Sequence, residues 1–131
     1  MGRNIAGVVE VRGPDRPWDG IATVFFRARD HRLFSLLLGD SPVFPCRGLP
    51  ADACPTTRYE SPDDAADRPT WLTEPELAAV ERAHLAPQAG DGPSGPPPTT
   101  RNPELAAVRG MMQAVDRLPG YRARFVCWIV G

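Results

Sequence analysis

Sixteen prolines and twelve glycines, in a chain of 131 residues, restrict the length of any helix or strand that it can form. Proline lacks the backbone N–H group that helices and sheets use, and glycine favours turns because it adopts positive φ angles at little cost. Six prolines fall within residues 40–70 and four within residues 89–100. We therefore expect short regular elements joined by long Pro-rich loops, and we predict that residues 87–101 form a flexible Pro/Gly-rich loop.

The segments between these loops show strand and helix patterns. The β-branched run Ile5–Arg12 and the short segment Ile21–Phe26 predict two strands that can pair as a hairpin. Residues 121–130 predict a strand that becomes apolar on both faces, which indicates a central position in a sheet. The sequence therefore predicts a single α+β domain over residues 1–131, with a small antiparallel sheet that includes the N-terminal and C-terminal strands.

About three short helices are expected to pack on this sheet. Asp30 precedes an apolar stripe at helical spacing, Thr73 and Glu76 have the spacing of a capping box, and Asn102 precedes Pro103. Such side chains accept hydrogen bonds from the free N–H groups at a helix start. The predicted helices span residues 31–38, 74–86 and 103–117.

Charge and cysteine content limit the classes of partner. The formal net charge is −1 and the pI is about 6.1, so nucleic acid is not an expected partner. No apolar stretch reaches the length needed to cross a bilayer, and the start of the chain does not resemble a signal peptide. Three cysteines without a paired motif indicate free thiols in a reducing cytoplasm, and no metal site or cofactor is indicated.

The first candidate site lies at a helix start, where Asp30, His31 and Arg32 follow one another. Asp30 and His31 could act as general acid and base, with Arg47 holding an anionic substrate. The structural alternative is that Asp30 caps the helix while His31 and Arg32 lie in its solvated first turn. His84, in the last turn of the second helix, is interpreted as a cation that complements the helix dipole.

The cysteines provide a second candidate. Cys46 precedes Arg47 in a loop, and a neighbouring cation favours the thiolate form that binds or attacks a ligand. No histidine is close in sequence to act as a base, so an incidental loop cysteine is the alternative. Cys127, inside the last strand, is interpreted as a small core residue.

A third candidate is an arginine face on the last strand. Arg122 and Arg124 share one face by alternation, with Arg3, Arg12 and Arg47 expected nearby in the folded sheet. All fifteen basic residues are arginine, which indicates a compositional bias, but the guanidinium group also suits bidentate recognition of carboxylate or phosphate. The face is therefore either an ordinary exposed polar surface or an anion-binding surface.

Four segments occur in an order that resembles a family of small uncharacterised phage and actinobacterial proteins: Gly2–Val11, Arg29–Leu36, Arg47-Gly48-Leu49-Pro50 and Trp71-Leu72-Thr73. The resemblance covers about the first 75 residues. Asn4 and Ala6 stand where the family has Asp and His, and residues 63–70, directly before Trp71, contain no histidine. The resemblance therefore implies a shared fold and ancestry more than an activity.

Two functions follow as hypotheses. The first is a small non-catalytic binding or accessory protein of phage or actinobacterial origin that engages a protein partner or an anionic small molecule through Cys46, Arg47, Arg122 and Arg124. The alternative is a small cofactor-independent enzyme of specialised metabolism that uses Asp30 or His31 as acid or base.

Overall fold

The computed structural model of this chain describes residues 4–27, 30–61, 67–86 and 100–131. Arg3 and most of the segment predicted to be a flexible loop, residues 87–99, lie outside the described residues. The elements in chain order are β1 (Asn4–Arg12), β2 (Asp19–Phe25), α1 (His31–Leu37), α2 (Pro55–Glu60), β3 (Thr70–Leu72), α3 (Glu74–Leu85), α4 (Pro103–Asp116) and β4 (Arg122–Val130).

The four strands form one antiparallel sheet in the order β2-β1-β4-β3. β1 and β4 pair along their whole lengths, from Asn4 opposite Val130 to Arg12 opposite Arg122. β2 pairs with the other side of β1, and β3 pairs with the other side of β4. The α+β fold, the β1–β2 hairpin and the central position of the last strand are thereby confirmed.

One face of the sheet carries the larger part of the core. Val9, Phe125 and Cys127 point to this face and are buried among apolar side chains of α1, α3 and α4. The ring of Phe26 stacks on that of Phe125 with 6.1 Å between centroids. Cys127 is the core residue that the sequence predicted, and burial raises the pKa of its thiol well above the ordinary range. The helices contribute Leu33, Leu37, Leu77, Val80, Leu105, Val108 and Met112.

The opposite face, here called the α2 face, is also covered. Val8, Val126 and Trp128 form a second buried cluster with Cys54, which directly precedes α2. β4 is therefore buried on both faces, which explains why its sequence is apolar at successive positions rather than only at alternate ones.

One short element, α2, lies within residues 40–70, which the sequence predicted to be an irregular connection, and a second, β3, begins at the end of this segment. α2 has six residues and buries only Thr57, so it shows no apolar periodicity that could be recognised. β3 has three residues, and its extended state depends on its pairing with β4. The structure thus adds a fourth helix and a fourth strand to those predicted.

The predicted helix caps are present. The Asp30 carboxylate accepts a hydrogen bond from the Leu33 N–H at 3.0 Å, and the Asn102 side chain accepts from two N–H groups of α4. The Thr73 N–H donates to the Glu76 carboxylate at 2.9 Å, as a capping box requires. α4 has 14 residues. None of the helices in the described part of the chain combines the length and apolarity needed to span a membrane.

The close packing of β1 against β4 gives a test of the fold. A Cβ atom at Gly7 would lie 2.4 Å from the Val126 carbonyl oxygen and 2.7 Å from the Phe125 ring. Gly7→Ala is therefore expected to lower the free energy of unfolding by about 2–3 kcal/mol, because the core must shift. Gly110, inside α4, has nothing within 4 Å of such a Cβ. Gly110→Ala is expected to raise the free energy of unfolding by about 0.5–1 kcal/mol.

Urea denaturation followed by circular dichroism measures both changes. The same sign of effect for the two variants would contradict this description of the packing.

Candidate anion-binding site

A buried ion pair joins the two terminal strands on the α2 face. Glu10 and Arg124 lie opposite each other in register and are 0% and 6% exposed. Arg124 Nε donates a hydrogen bond to Glu10 Oε1 at 2.7 Å. Glu10 Oε2 accepts hydrogen bonds from the Cys54 N–H at 2.9 Å and from the Thr57 hydroxyl at 2.5 Å. The carboxylate is therefore fully engaged, and it anchors α2 to the sheet.

Arg124 also holds an aromatic side chain in place. Its guanidinium carbon lies 3.9 Å from the centroid of the Trp18 ring, and its Nη1 atom lies 3.0 Å from Asp52 Oδ1. Trp18 Nε1 donates to Asp52 Oδ2 at 3.2 Å. Desolvation tends to raise the pKa of Asp52, but the bonds from Arg124 and Trp18 outweigh it, so the pKa is lowered. Two carboxylates thus compensate the charge of Arg124, whose role here is to fix Trp18.

A pocket of about 320 Å³ lies beside Trp18. We call it the arginine pocket, because Arg12 and Arg122 line it from adjacent strands and are opposite each other in register. Arg12 Nε donates to the carbonyl oxygen of Arg16 at 3.0 Å, which holds this side chain against the turn after β1. The lining residues are Arg12, Gly13, Pro14, Asp15, Trp18, Gly120 and Arg122.

Electrostatics in the arginine pocket favour an anion. Within the described residues, neither Arg12 nor Arg122 forms a salt bridge, whereas Arg47, Arg101, Arg109 and Arg124 do. Like charges directly opposite each other on antiparallel strands destabilise a sheet by roughly 0.2–1 kcal/mol. Asp15 brings one carboxylate to the wall. The three charged side chains therefore leave a net positive charge that a bound anion would compensate.

Two turns give the pocket its shape. Gly120 precedes β4 with φ of 79°, a conformation that favours glycine. A Cβ at Gly120 would lie 2.7 Å from Pro14 Cγ, so glycine allows the turn before β4 to approach the turn after β1. Asp15 has φ of 56° in that second turn, which Asp tolerates better than most residues. The pocket wall is thus formed by two tight turns rather than by long loops.

The structure places Arg47 and Cys46 away from this pocket. The Arg47 guanidinium donates to the Glu76 carboxylate and stacks over the rings of Trp71 and Phe44, 4.6 and 5.7 Å from their centroids. The hydrogen bond from Arg47 is the main reason why the pKa of Glu76 falls to about 2. Cys46 is exposed, and its Sγ lies 3.2 Å from a backbone carbonyl oxygen. Arg47 therefore links the loop to α3 through protein contacts.

Asp30 contacts His84 rather than His31, its neighbour in sequence. Asp30 Oδ2 lies 2.8 Å from His84 Nε2 and 3.3 Å from Asn102 Nδ2, so it joins α1 to α3 and α4. His84 lies in the last turn of α3, as predicted, but it is buried, whereas His31 is exposed. The sequence did not reveal this pair, because its members are 54 residues apart and no local pattern links them.

The structural alternative for this helix start placed Arg32 in a solvated first turn, and for Arg32 this is wrong. It is 6% exposed, and it donates to the carbonyl oxygens of His84 at 2.8 Å and Ala86 at 2.7 Å. These carbonyls end α3, where a positive charge is favoured by the helix dipole. Arg32, supplied by α1, is thus a cation that complements the end of this helix.

In comparisons with known proteins, no protein-family model, curated protein or solved structure matches the chain. The resemblance to phage and actinobacterial proteins stays a prediction.

The buried ion pair gives a second test. Arg124→Met would leave the Glu10 carboxylate without its guanidinium partner in a fully buried position. We expect the free energy of unfolding to fall by about 3–5 kcal/mol. Arg122→Met, two residues along the same face but exposed, is the matched control and is expected to change it by less than about 0.5 kcal/mol. A Glu10→Gln, Arg124→Met double variant should be less destabilised than the Arg124→Met single variant, since it buries no uncompensated charge.

Guanidinium denaturation of the four proteins gives these values. Equal effects of the two arginine substitutions would contradict the assigned role of Arg124.

The Arg47–Glu76 contact gives a pH-dependent prediction. The pKa of Glu76 is about 2 in the folded chain, below its ordinary value of 4.5. A depressed folded pKa means that the contribution of this ion pair is present above about pH 4.5 and is lost as the pH falls towards 2. Glu76→Gln keeps a capping side chain but removes the charge. We expect it to cost about 1–2 kcal/mol at neutral pH, less than the full shift implies because the pair is partly exposed, and the cost should shrink as the pH falls and vanish below about pH 2.

Urea denaturation at a series of pH values checks this expectation, with exposed Glu60→Gln as the control. A Glu76→Gln deficit that stays constant across the series would refute the assignment.

Proposed function

We propose that this chain is a small non-catalytic binding protein that holds an anionic small molecule in the arginine pocket. The observation that carries the proposal is the pairing of Arg12 with Arg122 across β1 and β4, beside Trp18, with no salt bridge to either arginine from the described residues. Of the candidate residues named from the sequence, Arg122 is retained as a ligand contact. Arg12 joins it as a second contact, and Arg124 supports the pocket through Trp18.

Pocket size and chemistry limit the ligand. A volume of about 320 Å³ lies at the lower end of the range for small-molecule sites, roughly 300–1,000 Å³. Two guanidinium groups suit a group with several oxygens, such as phosphate, sulfate or carboxylate, because each can donate two parallel hydrogen bonds. The indole of Trp18 offers an apolar surface for the rest of a small ligand. We therefore propose a compact oxyanion-bearing molecule.

Several features support preorganisation of this site. Arg12 is held by the turn after β1, and Trp18 is held by Arg124 and Asp52. Residues that are already ordered lose less entropy when a ligand binds. The enzyme alternative stays a prediction. The side chains of Asp30, Arg47 and His84 make their contacts with other parts of the chain.

The proposal is tested with inorganic phosphate, sulfate and acetate as probes, at low ionic strength. Binding is measured by calorimetry and by the change in tryptophan fluorescence. Arg12→Gln and Arg122→Gln are each expected to weaken binding of the preferred anion about tenfold or more, because each removes a charged hydrogen bond worth about 1.5–3 kcal/mol. Arg82→Gln, an exposed arginine on α3, is the matched control and should bind as the unchanged chain does.

Trp18→Phe tests whether the change in tryptophan fluorescence arises at the arginine pocket. It should abolish the fluorescence change while calorimetric binding persists, because the other two tryptophans lie outside the pocket. If none of the three anions binds, the proposed site is ruled out. Equal losses of affinity in the Arg122→Gln and Arg82→Gln variants would also rule it out.

A further inference from the structure

One residue that lines the arginine pocket is not explained by a simple anion. Asp15 brings a carboxylate to a pocket whose other charged residues are Arg12 and Arg122. This carboxylate repels a ligand that carries only negative charge, and a repulsive group of this kind excludes some ligands while it accepts others. The pocket therefore favours a ligand that carries a positive group as well as negative ones.

The three charged side chains do not neutralise one another. Within residues 4–27, 30–61, 67–86 and 100–131, no salt bridge or side-chain hydrogen bond includes the Asp15 carboxylate. Arg12 uses its Nε atom for the carbonyl oxygen of Arg16. The Nη atoms of Arg12 and the guanidinium of Arg122 make no hydrogen bond to the same part of the chain. Each of the three side chains therefore retains groups that can bind a ligand.

The backbone holds Asp15 apart from the two arginines. The Arg16 N–H donates to the carbonyl oxygen of Gly13 at 3.3 Å, which closes a turn with Pro14 and Asp15 at its centre. Proline followed by a positive φ, here 56° at Asp15, is the arrangement of a type II turn. Because proline restricts its own φ angle, this turn has little freedom to move the carboxylate. The positive and negative parts of the pocket thus stay separate.

The charges of the pocket specify the charges of a matching ligand. Two arginines and one aspartate carry +1, +1 and −1, so the net charge is +1. A ligand with charges of −1, −1 and +1 compensates this array group by group. Guanidinium groups donate paired hydrogen bonds to carboxylates, and a carboxylate accepts them from an ammonium group. Acidic α-amino acids carry two carboxylates and one ammonium group on a short carbon chain, which suits a pocket of about 320 Å³.

We propose that the ligand of the arginine pocket is an acidic α-amino acid. Its two carboxylates bind Arg12 and Arg122, and its ammonium group binds Asp15. Its carbon chain lies against the indole of Trp18, which lines the same pocket. The inference rests on the proposed function, because it names the class of anion that the same site selects.

Calorimetry with three ligands of the same chain length tests the proposal. L-glutamate has both carboxylates and the ammonium group, glutarate lacks the ammonium group, and L-glutamine lacks the second carboxylate. At low and equal ionic strength, the chain is expected to bind L-glutamate about tenfold more tightly than either of the others. The reason is that each comparison removes one hydrogen bond between charged groups.

Asp15→Asn tests the residue that selects the ammonium group. Asn also tolerates a positive φ, so the variant removes the charge and keeps the turn. We expect it to weaken binding of L-glutamate about tenfold and to leave binding of glutarate unchanged or tighter. Asp40→Asn, at an exposed aspartate outside the pocket, is the matched control and should keep the preference of the unchanged chain.

The outcomes distinguish this inference from the proposed function. If L-glutamate binds no more tightly than glutarate, or if Asp15→Asn weakens both ligands equally, the inference is overturned. Binding of phosphate, sulfate or acetate that depends on Arg12 and Arg122 would then still support the proposed function. If neither these anions nor the amino acids bind, both proposals fail.

Discussion

The pairing of β1 with β4 is the interaction on which the rest of the structure depends. It brings together the two ends of the described chain over nine residue pairs, and every other element packs on the two faces or two edges that result. Closing so long a loop costs chain entropy, but this cost grows only slowly with length. The stabilisation that offsets this cost comes from β4, which buries Phe125 and Cys127 on one face and Val126 and Trp128 on the other.

The Glu10–Arg124 pair shows how this pairing also organises the polar end of the sheet. A buried carboxylate is tolerated only where hydrogen bonds replace the water that it loses. Here the replacement comes from the strand opposite and from the start of α2, so one residue ties a short helix to the sheet. Arg124 in turn holds Trp18 in place, and Trp18 is one of the residues that line the arginine pocket. The candidate site is thus an extension of a structural ion pair.

Sequence patterns predicted those parts of the fold that depend on local chemistry. The caps at Asp30, Thr73 and Asn102 act on N–H groups within three residues, so the sequence contains both partners. α2 and β3 were not predicted, because each is stabilised by contacts with distant residues. Of the site, the sequence placed Arg122 and Arg124 on one face but could not separate them. Arg124 meets Glu10 at a separation of 114 residues, and Arg122 meets another arginine.

The sequence by itself determined the α+β class, the central and doubly buried last strand, and the limits of the long helices, because periodicity and capping are properties of neighbouring residues. Only the tertiary structure decided which charges are compensated. Whether a guanidinium is a structural partner or is available to a ligand depends on what the strand register places opposite it, since the favourable and unfavourable energies of a charge act over a few ångströms of space. That register is fixed by packing of the whole sheet, and no short stretch of the chain contains it.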